Sequence, residues 1–352
     1  MKRRKVLDTI TPYIAGKLKP GAIKLASNEN PLGPSPKAIE AISQSLQKIH
    51  IYPDSNCLEL KLKLAEKHGL KSEQVIIGNG SDEILLFITG AYMEKGRSAI
   101  AAKYTFPEYT FSTYLFDGNM VYVKMDNLRH SLEKFYSKID SSTAIIFLCN
   151  PNNPSGTYFS DRELKNFLGK ISSDILVIID EAYYEYVDAQ DFPNSIELLK
   201  EFDNLLILRT FSKIYGLAGL RIGYAMGSEK LIGDLNLTRE PFNVNSLAQL
   251  GAMAALKDQE HVEKSKMLNR QGKAYLYEQF DKLGLTYWPT EANFVFFRCG
   301  LNRDDVFKNM MDMGITIRSL PVYDDSLRVT IGTMEENRLF ISYLTEILKS
   351  SR

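Results

Sequence analysis

The chain has 352 residues, 44% of them hydrophobic and 24% charged, and Lys+Arg and Asp+Glu both number 43, so the formal net charge is zero. This length suits one large domain with a smaller one, and the balanced charge gives no ground for broad attraction to nucleic acid or to an acidic membrane. The basic start, Met1 to Lys5, runs into Val6-Leu7-Asp8 without a long apolar segment, so no secretory signal is expected, and no apolar run approaches the ~18 residues of a spanning helix. Cys57, Cys149 and Cys299 lack metal-ligand or disulfide-framework spacing, which points to a reducing cytoplasm and no metal site.

In chain order, residues 11–36 read as irregular, with an extended, turn-rich path from Asn30 through Pro31, Gly33, Pro34 and Pro36. Ser35 can cap a helix that starts at Pro36, with Ala38, Ile39, Ile42 and Leu46 along one face. A break at 51–56 precedes a second amphipathic helix through Leu60, Leu64 and His68. Gln74 to Ile77 is a short strand, followed by Gly78-Asn79-Gly80-Ser81-Asp82-Glu83 and an apolar helix from Ile84 to Tyr92. A glycine turn feeding a helix N-terminus offers backbone N–H groups and a favourable dipole to an anion. A plain strand–turn–helix, with Ser81 or Asp82 as cap, accounts for the same residues.

The alternation continues with a strand at Ser98–Ala102, a helix after Tyr109, a strand through Val121 and Val123, and a helix over Leu128–Ile139. The strand Ala144–Leu148 ends at Asn150-Pro151-Asn152-Asn153-Pro154-Ser155-Gly156. A helix at Asp161–Leu168 leads to the strand Ile175–Ile179, which delivers Asp180 to Tyr186. Such alternation means βαβ units: an α/β fold whose mostly parallel sheet carries helices on both faces. Ligands of such sheets bind beyond the carboxyl ends of the strands. Gly78, Phe106, Asn150, Asp180 and Thr210 all follow strand ends, so they converge on one crevice. A helical stretch from about Leu247 to Leu283 links to a small α+β domain with strands at Phe294–Phe297, Ile315–Ile317 and Leu327–Ile331 and a closing helix after Gly332. Residues 1–30 are expected to join it.

The chemistry concentrates after the buried run Leu205–Leu208, where Thr210, Ser212, Lys213 and Arg221 fall among glycines. A lysine just past a buried strand can have its pKa lowered by desolvation and nearby cations, which makes it a usable amine nucleophile. A Schiff base with an aldehyde cofactor needs such an amine. An arginine close by, with Ser and Thr hydroxyls, suits a phosphate.

These motifs resemble the fold-type I pyridoxal-phosphate-dependent aminotransferases of class I/II, and within them the histidinol-phosphate aminotransferase family. The resemblance runs through Lys24–Ala38, Tyr52-Pro53-Asp54, Gly78–Glu83, Asn150–Gly156, Asp180–Tyr186, Arg209–Lys213, Gly216–Tyr224, Arg239–Ser246 and Leu327–Thr333. It implies a large domain over 31–245, and a small domain made of 1–30 and 246–352 that includes the N-terminal arm and the linking helix. It implies pyridoxal 5'-phosphate as cofactor. Lys213 would carry the cofactor and move the Cα proton, Asp180 would pair with the pyridine nitrogen, and Tyr183 and Asn153 would bond the ring hydroxyl oxygen. Phe106 would stack on the ring. The Ser81 and Asp82 amides, Thr210, Ser212 and Arg221 would hold the phosphate. Tyr52 would reach that phosphate from the neighbouring subunit, which makes a homodimer part of the site. Tyr13, Asn28, Arg318 and Arg328 would bind small-molecule substrates, with a guanidinium fork able to serve a carboxylate or a phosphate ester. Asn243 would line the same pocket.

The implied reaction is transamination of L-histidinol phosphate with 2-oxoglutarate. An aromatic amino acid aminotransferase and an O-phosphothreonine decarboxylase of the same fold are the rival activities. Two features depart from the pattern: Ser155 stands where Thr is commoner, and Phe106 where relatives often carry Tyr. The arm between Gly16 and Ile23 is also short. A dinucleotide-binding reading of Gly78-Asn79-Gly80 fails because Glu83 stands where a third glycine is needed and no acidic residue lies between Lys95 and Phe106. A DNA-binding regulator would need an added basic domain, for which the pattern leaves no room.

Overall fold

Nearly continuous apolar runs mark strands that are buried on both faces, and the computed structural model, which describes residues 1–10 and 21–350, bears this out. The first part of the chain gives β1 (Ile23–Lys24), α1 (Pro36–Ser45) and α2 (Leu58–His68). Alternation then sets in with β2 (Val75–Gly78), α3 (Ser81–Tyr92), β3 (Ser98–Ala102), α4 (Glu108–Leu115), β4 (Asn119–Val123), α5 (Leu132–Tyr136), β5 (Thr143–Cys149) and α6 (Asp161–Leu168). It continues through β6 (Leu176–Asp180), α7 (Ser195–Leu198), β7 (Leu205–Thr210), β8 (Gly223–Gly227) and α8 (Glu229–Asn236).

These strands form a seven-stranded sheet in the order β2-β8-β7-β6-β5-β3-β4. Only β8 runs against its neighbours, pairing antiparallel with both β7 and β2. One face is covered by residues that include Ala38, Leu60, Leu64, Phe159, Phe167 and Tyr215, and the other by Ile84, Leu85, Ile88, Tyr109 and Ile232. The expected mostly parallel, doubly covered sheet is therefore present.

The chain then runs through α9 (Ser246–Leu256) and α10 (Gln259–Leu283) to β9 (Thr286–Trp288), β10 (Phe294–Arg298), α11 (Arg303–Asp312), β11 (Ile315–Thr316), β12 (Arg318–Ser319), β13 (Ser326–Thr330) and α12 (Met334–Ser350). An antiparallel sheet in the order β12-β13-β10-β9 packs its own core, with Phe280, Val295, Phe297, Leu327, Phe340 and Leu344. β1 pairs parallel with β11, and Leu25 lies in this second core, so residues 23–25 join the smaller body, whereas Arg4 bonds Asp117 at 2.6 Å beside α4 of the large one.

Three local readings are corrected. The helical stretch expected over 247–283 is two helices, broken at Lys257–Asp258, where Asp258 accepts a 2.7 Å hydrogen bond from Ser35 Oγ. Ala248, Ala252 and Ala255 of α9 bury themselves in the large-sheet core. The helix expected over Leu128–Ile139 shrinks to α5, because Asn127 and Leu128 both take positive φ, +47° and +60°, in a tight turn closed by Asp126 and Arg129. That turn pushes Leu128 into the second body, beside Trp288 and Phe296, while Trp288 Nε1 donates to Asn127 O at 3.0 Å. Of the expected apolar face of α1, Ala38 is buried but Ile39 and Leu46 stay exposed.

Candidate active site

Two glycines with no room for a side chain shape the end of the crevice at the α3 N-terminus. Gly80 (φ +87°) precedes α3, and no side chain caps the helix. Ser81 is its first residue, which corrects the expectation of a Ser81 or Asp82 cap and leaves the first amides of α3 without a capping side chain. A Cβ on Gly80 would lie 2.5 Å from Arg221 Nη2, and one on Gly223 would lie 2.5 Å from the Ser81 amide nitrogen. Arg221, itself at φ +53°, places Nη2 3.1 Å from Asp82 Oδ2 and Nη1 3.5 Å from Ser212 Oγ. Asp82 and Ser212 thus meet at the Arg221 guanidinium, with the Ser81 amide close beside Gly223. Thr210 stands beside them, but its hydroxyl braces the turn: it accepts from the Ser212 amide at 3.1 Å and donates to Ile222 O at 3.4 Å.

Lys213 follows β7 by three residues, half-buried, with Nζ 3.1 Å from Ser27 O and 5.6 Å from the Tyr183 ring centre. Burial, helped by the nearby Arg328 and Arg221 charges, lowers its pKa to about 8. Asp180 ends β6 fully enclosed. Desolvation pushes its pKa up to about 6, against two hydrogen bonds that favour the carboxylate: Tyr109 Oη donates to Oδ2 at 2.6 Å and the Ala182 amide to Oδ1 at 3.1 Å. Phe106 packs edge-on to Tyr109, with ring centres 5.6 Å apart.

The opposite wall comes from distant segments. Asn28, buried at φ +57°, donates from Nδ2 to Tyr183 Oη at 2.8 Å, and its amide donates to Thr330 Oγ1 at 2.9 Å. Arg328 donates to Asn153 Oδ1 and, at 2.7 Å, to Ala26 O. Arg318 is the residue directly opposite Arg328 in the β12–β13 ladder, so the two guanidinium groups leave the same face of the sheet.

Tyr52 is 81% exposed and stacks on Phe242 at 4.8 Å, on the protein surface. Asn243 is tied to Glu83 at 2.6 Å and to Arg239 at 3.0 Å, so its amide is engaged beside α3. Tyr13 lies outside the described residues.

Residues 20–344 match the model of the family described as aminotransferase class I and II. The chain belongs to that family. It is 47% identical over 360 residues to a histidinol-phosphate aminotransferase from Moorella thermoacetica, covering 99% of this chain and 93% of that protein. It is 45% identical to one from Caldicellulosiruptor saccharolyticus, covering 98% of this chain and 99% of that protein. Among solved structures, the histidinol-phosphate aminotransferase from Sinorhizobium meliloti, in complex with pyridoxal-5'-phosphate, superposes with a TM-score of 0.92 at 25% identity and covers 100% of this chain and 99% of that one.

For an aminotransferase of this family the crevice is well furnished. A phosphate fits the cradle that a Cβ on Gly80 would fill, a protonated ring nitrogen fits the Asp180 carboxylate, and an aldehyde fits a lysine amine of lowered pKa. Three side chains to which the sequence assigns no role lie beneath these groups. Tyr109 bonds Asp180. Arg209, four residues before Lys213, is enclosed with Glu181, which it meets through Nε at 2.9 Å and Nη2 at 2.7 Å. Ser195 Oγ donates to the other Glu181 oxygen at 2.6 Å. A charged residue inside a run of apolar strand residues was the available signal for Arg209, because a buried charge demands a partner.

Proposed function

We propose that this chain is a pyridoxal-phosphate-dependent enzyme that moves the amino group of L-histidinol phosphate to 2-oxoglutarate, giving imidazole acetol phosphate and L-glutamate, a step of histidine biosynthesis. The observation that carries this reading is the pair Arg318 and Arg328, opposed in register on β12 and β13, with Arg328 close enough to Lys213 to lower its pKa. Two arginines can bind the phosphate ester of one substrate and a carboxylate of the other in turn. The near full-length likeness to proteins named histidinol-phosphate aminotransferase supports histidinol phosphate as the amino donor.

Pyridoxal phosphate, when bound, supplies an electron sink for the negative charge that develops at the substrate carbon. The protein supplies the rest. The amides of Ser81 and Asp82, the Ser212 hydroxyl and Arg221 would hold the phosphate, with Thr210 bracing the Ser212 turn. Asp180 would keep a proton on the pyridine nitrogen. Phe106 would bear on one ring face, and Tyr183 and Asn153 would bond the ring hydroxyl oxygen. Lys213 would form the covalent link, and its released amine would take the proton from the substrate carbon and return it at the cofactor carbon. Its lowered pKa supports this, because the amine is substantially neutral near pH 8. Asn28 and Tyr13 would complete the substrate pocket.

The active unit we infer is a homodimer in the cytoplasm. Ile39, Ile49, Ile51, Tyr52, Leu58, Leu62 and Phe242 are large apolar residues exposed on the single chain, and covering such side chains favours association. Tyr52 would cross that interface to the other subunit's phosphate. Division into 31–245 and 1–30 with 246–352 is part of the same proposal, with α9 packed on the large body. Among the described residues no helix is long and apolar enough to cross a membrane.

The test is to give the purified protein pyridoxal phosphate and 2-oxoglutarate and to measure L-glutamate release with L-histidinol phosphate, L-phenylalanine or O-phospho-L-threonine. Glutamate release that is fastest with histidinol phosphate is the expected result. Release only with phenylalanine would make this an aromatic aminotransferase. Carbon dioxide release from phosphothreonine would make it a decarboxylase.

A further inference from the structure

Asp180 presents two oxygens, and a phenol hydroxyl from another strand–helix unit already occupies one of them. Tyr109 Oη donates to Oδ2 at 2.6 Å. Tyr109 is completely enclosed, its ring parallel to Phe147 at 4.7 Å with an interplanar angle of 4°, and edge-on to Phe106 at 5.6 Å. A ring wedged on two sides cannot swing its hydroxyl elsewhere, so the bond to Asp180 is fixed by packing. The Ala182 amide holds Oδ1 at 3.1 Å and sets the carboxylate plane.

We propose that Tyr109 is a positioning residue that keeps Asp180 ionised and aimed, and thereby decides whether the shared proton rests on the pyridine nitrogen or on the carboxylate. This inference rests on the cofactor reading above. A charge-assisted hydrogen bond favours the carboxylate over the neutral acid. The surroundings otherwise press Asp180 toward neutrality: it is desolvated, Asp82 of α3 and Glu181 beside it add negative potential, and Cys149 of β5 and Tyr183 face it as uncharged groups whose own ionisation burial and Asp180 oppose. The Tyr109 hydroxyl and the Ala182 amide are the donors that counter this pressure. Without the hydroxyl, Asp180 would hold a proton of its own more readily and would support a positive charge on the ring nitrogen less. Tyr109 has a second lever, because the same ring abuts Phe106, the residue placed to bear on the cofactor face.

The experiment uses the holoenzyme loaded with pyridoxal phosphate labelled with ¹⁵N in the ring. In Tyr109→Phe, which keeps the packing and removes only the hydroxyl, the ¹⁵N resonance at neutral pH moves from the pyridinium position toward that of neutral pyridine, and the cofactor dissociation constant rises about tenfold, as expected for one lost charge-assisted bond. kcat falls while KM for L-histidinol phosphate stays within about twofold. An unchanged ¹⁵N resonance in a folded Tyr109→Phe protein overturns the inference. Should that variant fail to fold, 3-fluorotyrosine introduced at position 109, a stronger donor, decides the matter: movement of the resonance further toward pyridinium supports the role, and no movement removes it. A wild-type protein that binds no cofactor, or holds it with an unprotonated ring nitrogen, overturns the cofactor reading itself rather than the part given to Tyr109.

Discussion

The floor and the roof of the crevice are built by different means. The floor is a set of strand ends: Gly78 closes β2, Asp180 closes β6 and Thr210 closes β7, so backbone ladders set where their neighbours stand. The roof is assembled from segments hundreds of residues apart, with Ala26, Ser27 and Asn28 tied to Arg328, Lys213, Tyr183 and Thr330 by side-chain hydrogen bonds. Strand ends give a rigid place for a permanent guest. A roof of side-chain bonds can rearrange, as an enzyme that must admit two different substrates in turn requires.

The largest expected effect tests the floor. Lys213→Ala should lower transamination by about 10³-fold or more, since it removes the proposed covalent anchor and proton carrier; a steady-state assay with L-histidinol phosphate checks this, and retained turnover would break the assignment. Next is the foundation beneath that floor. Arg209→Met leaves Glu181 enclosed without its cation, and such loss costs about 3–5 kcal/mol. Chemical denaturation should show that drop, whereas equal truncation of the exposed Arg3 should barely register. The roof should answer differently: Arg318→Ala is expected to raise KM for L-histidinol phosphate by about tenfold while leaving the visible spectrum of the bound cofactor unchanged. A spectral change would mean that floor and roof are not separable in this way.

The smallest effect crosses between them. The Lys213 pKa, lowered by burial and by Arg328 to about 8, means that the reactive neutral amine becomes more abundant as pH rises through 8. The rate at which apoprotein captures pyridoxal phosphate should therefore climb with a midpoint near 8 and level off above it. Arg328→Gln should move that midpoint upward, because a neighbouring positive charge is what the substitution removes. In linkage terms, a lysine whose folded pKa lies below its unfolded one withholds stability below about 8 and restores it as pH climbs toward the unfolded value of 10.5.

The same division explains what the sequence alone makes legible. The floor was legible because strand period, glycine turns and βαβ alternation are local signals, and Lys213, Asp180, Ser81 and Arg221 sit at fixed offsets from them. The Leu128 helix failed because apolar spacing there also suits a turn whose Leu reaches into the other body. Tyr109 gives no sequence signal, because one aromatic on an amphipathic helix looks like packing and its bond runs to Asp180, far along the chain. Ile39 and Leu46 lie exposed, because apolar spacing along a helix does not by itself tell an outer face from a core one. The antiparallel β8 could not be seen, since its residues are as apolar as those of a parallel strand.

Leu128 and Trp288 meet where the two bodies touch, and the indole nitrogen is held by the carbonyl of the turn. Trp288 is the only tryptophan in the chain. Its fluorescence is therefore a built-in gauge of the gap between the bodies: emission wavelength and quenching report whether Leu128 is seated, with no label attached and no background from a second indole.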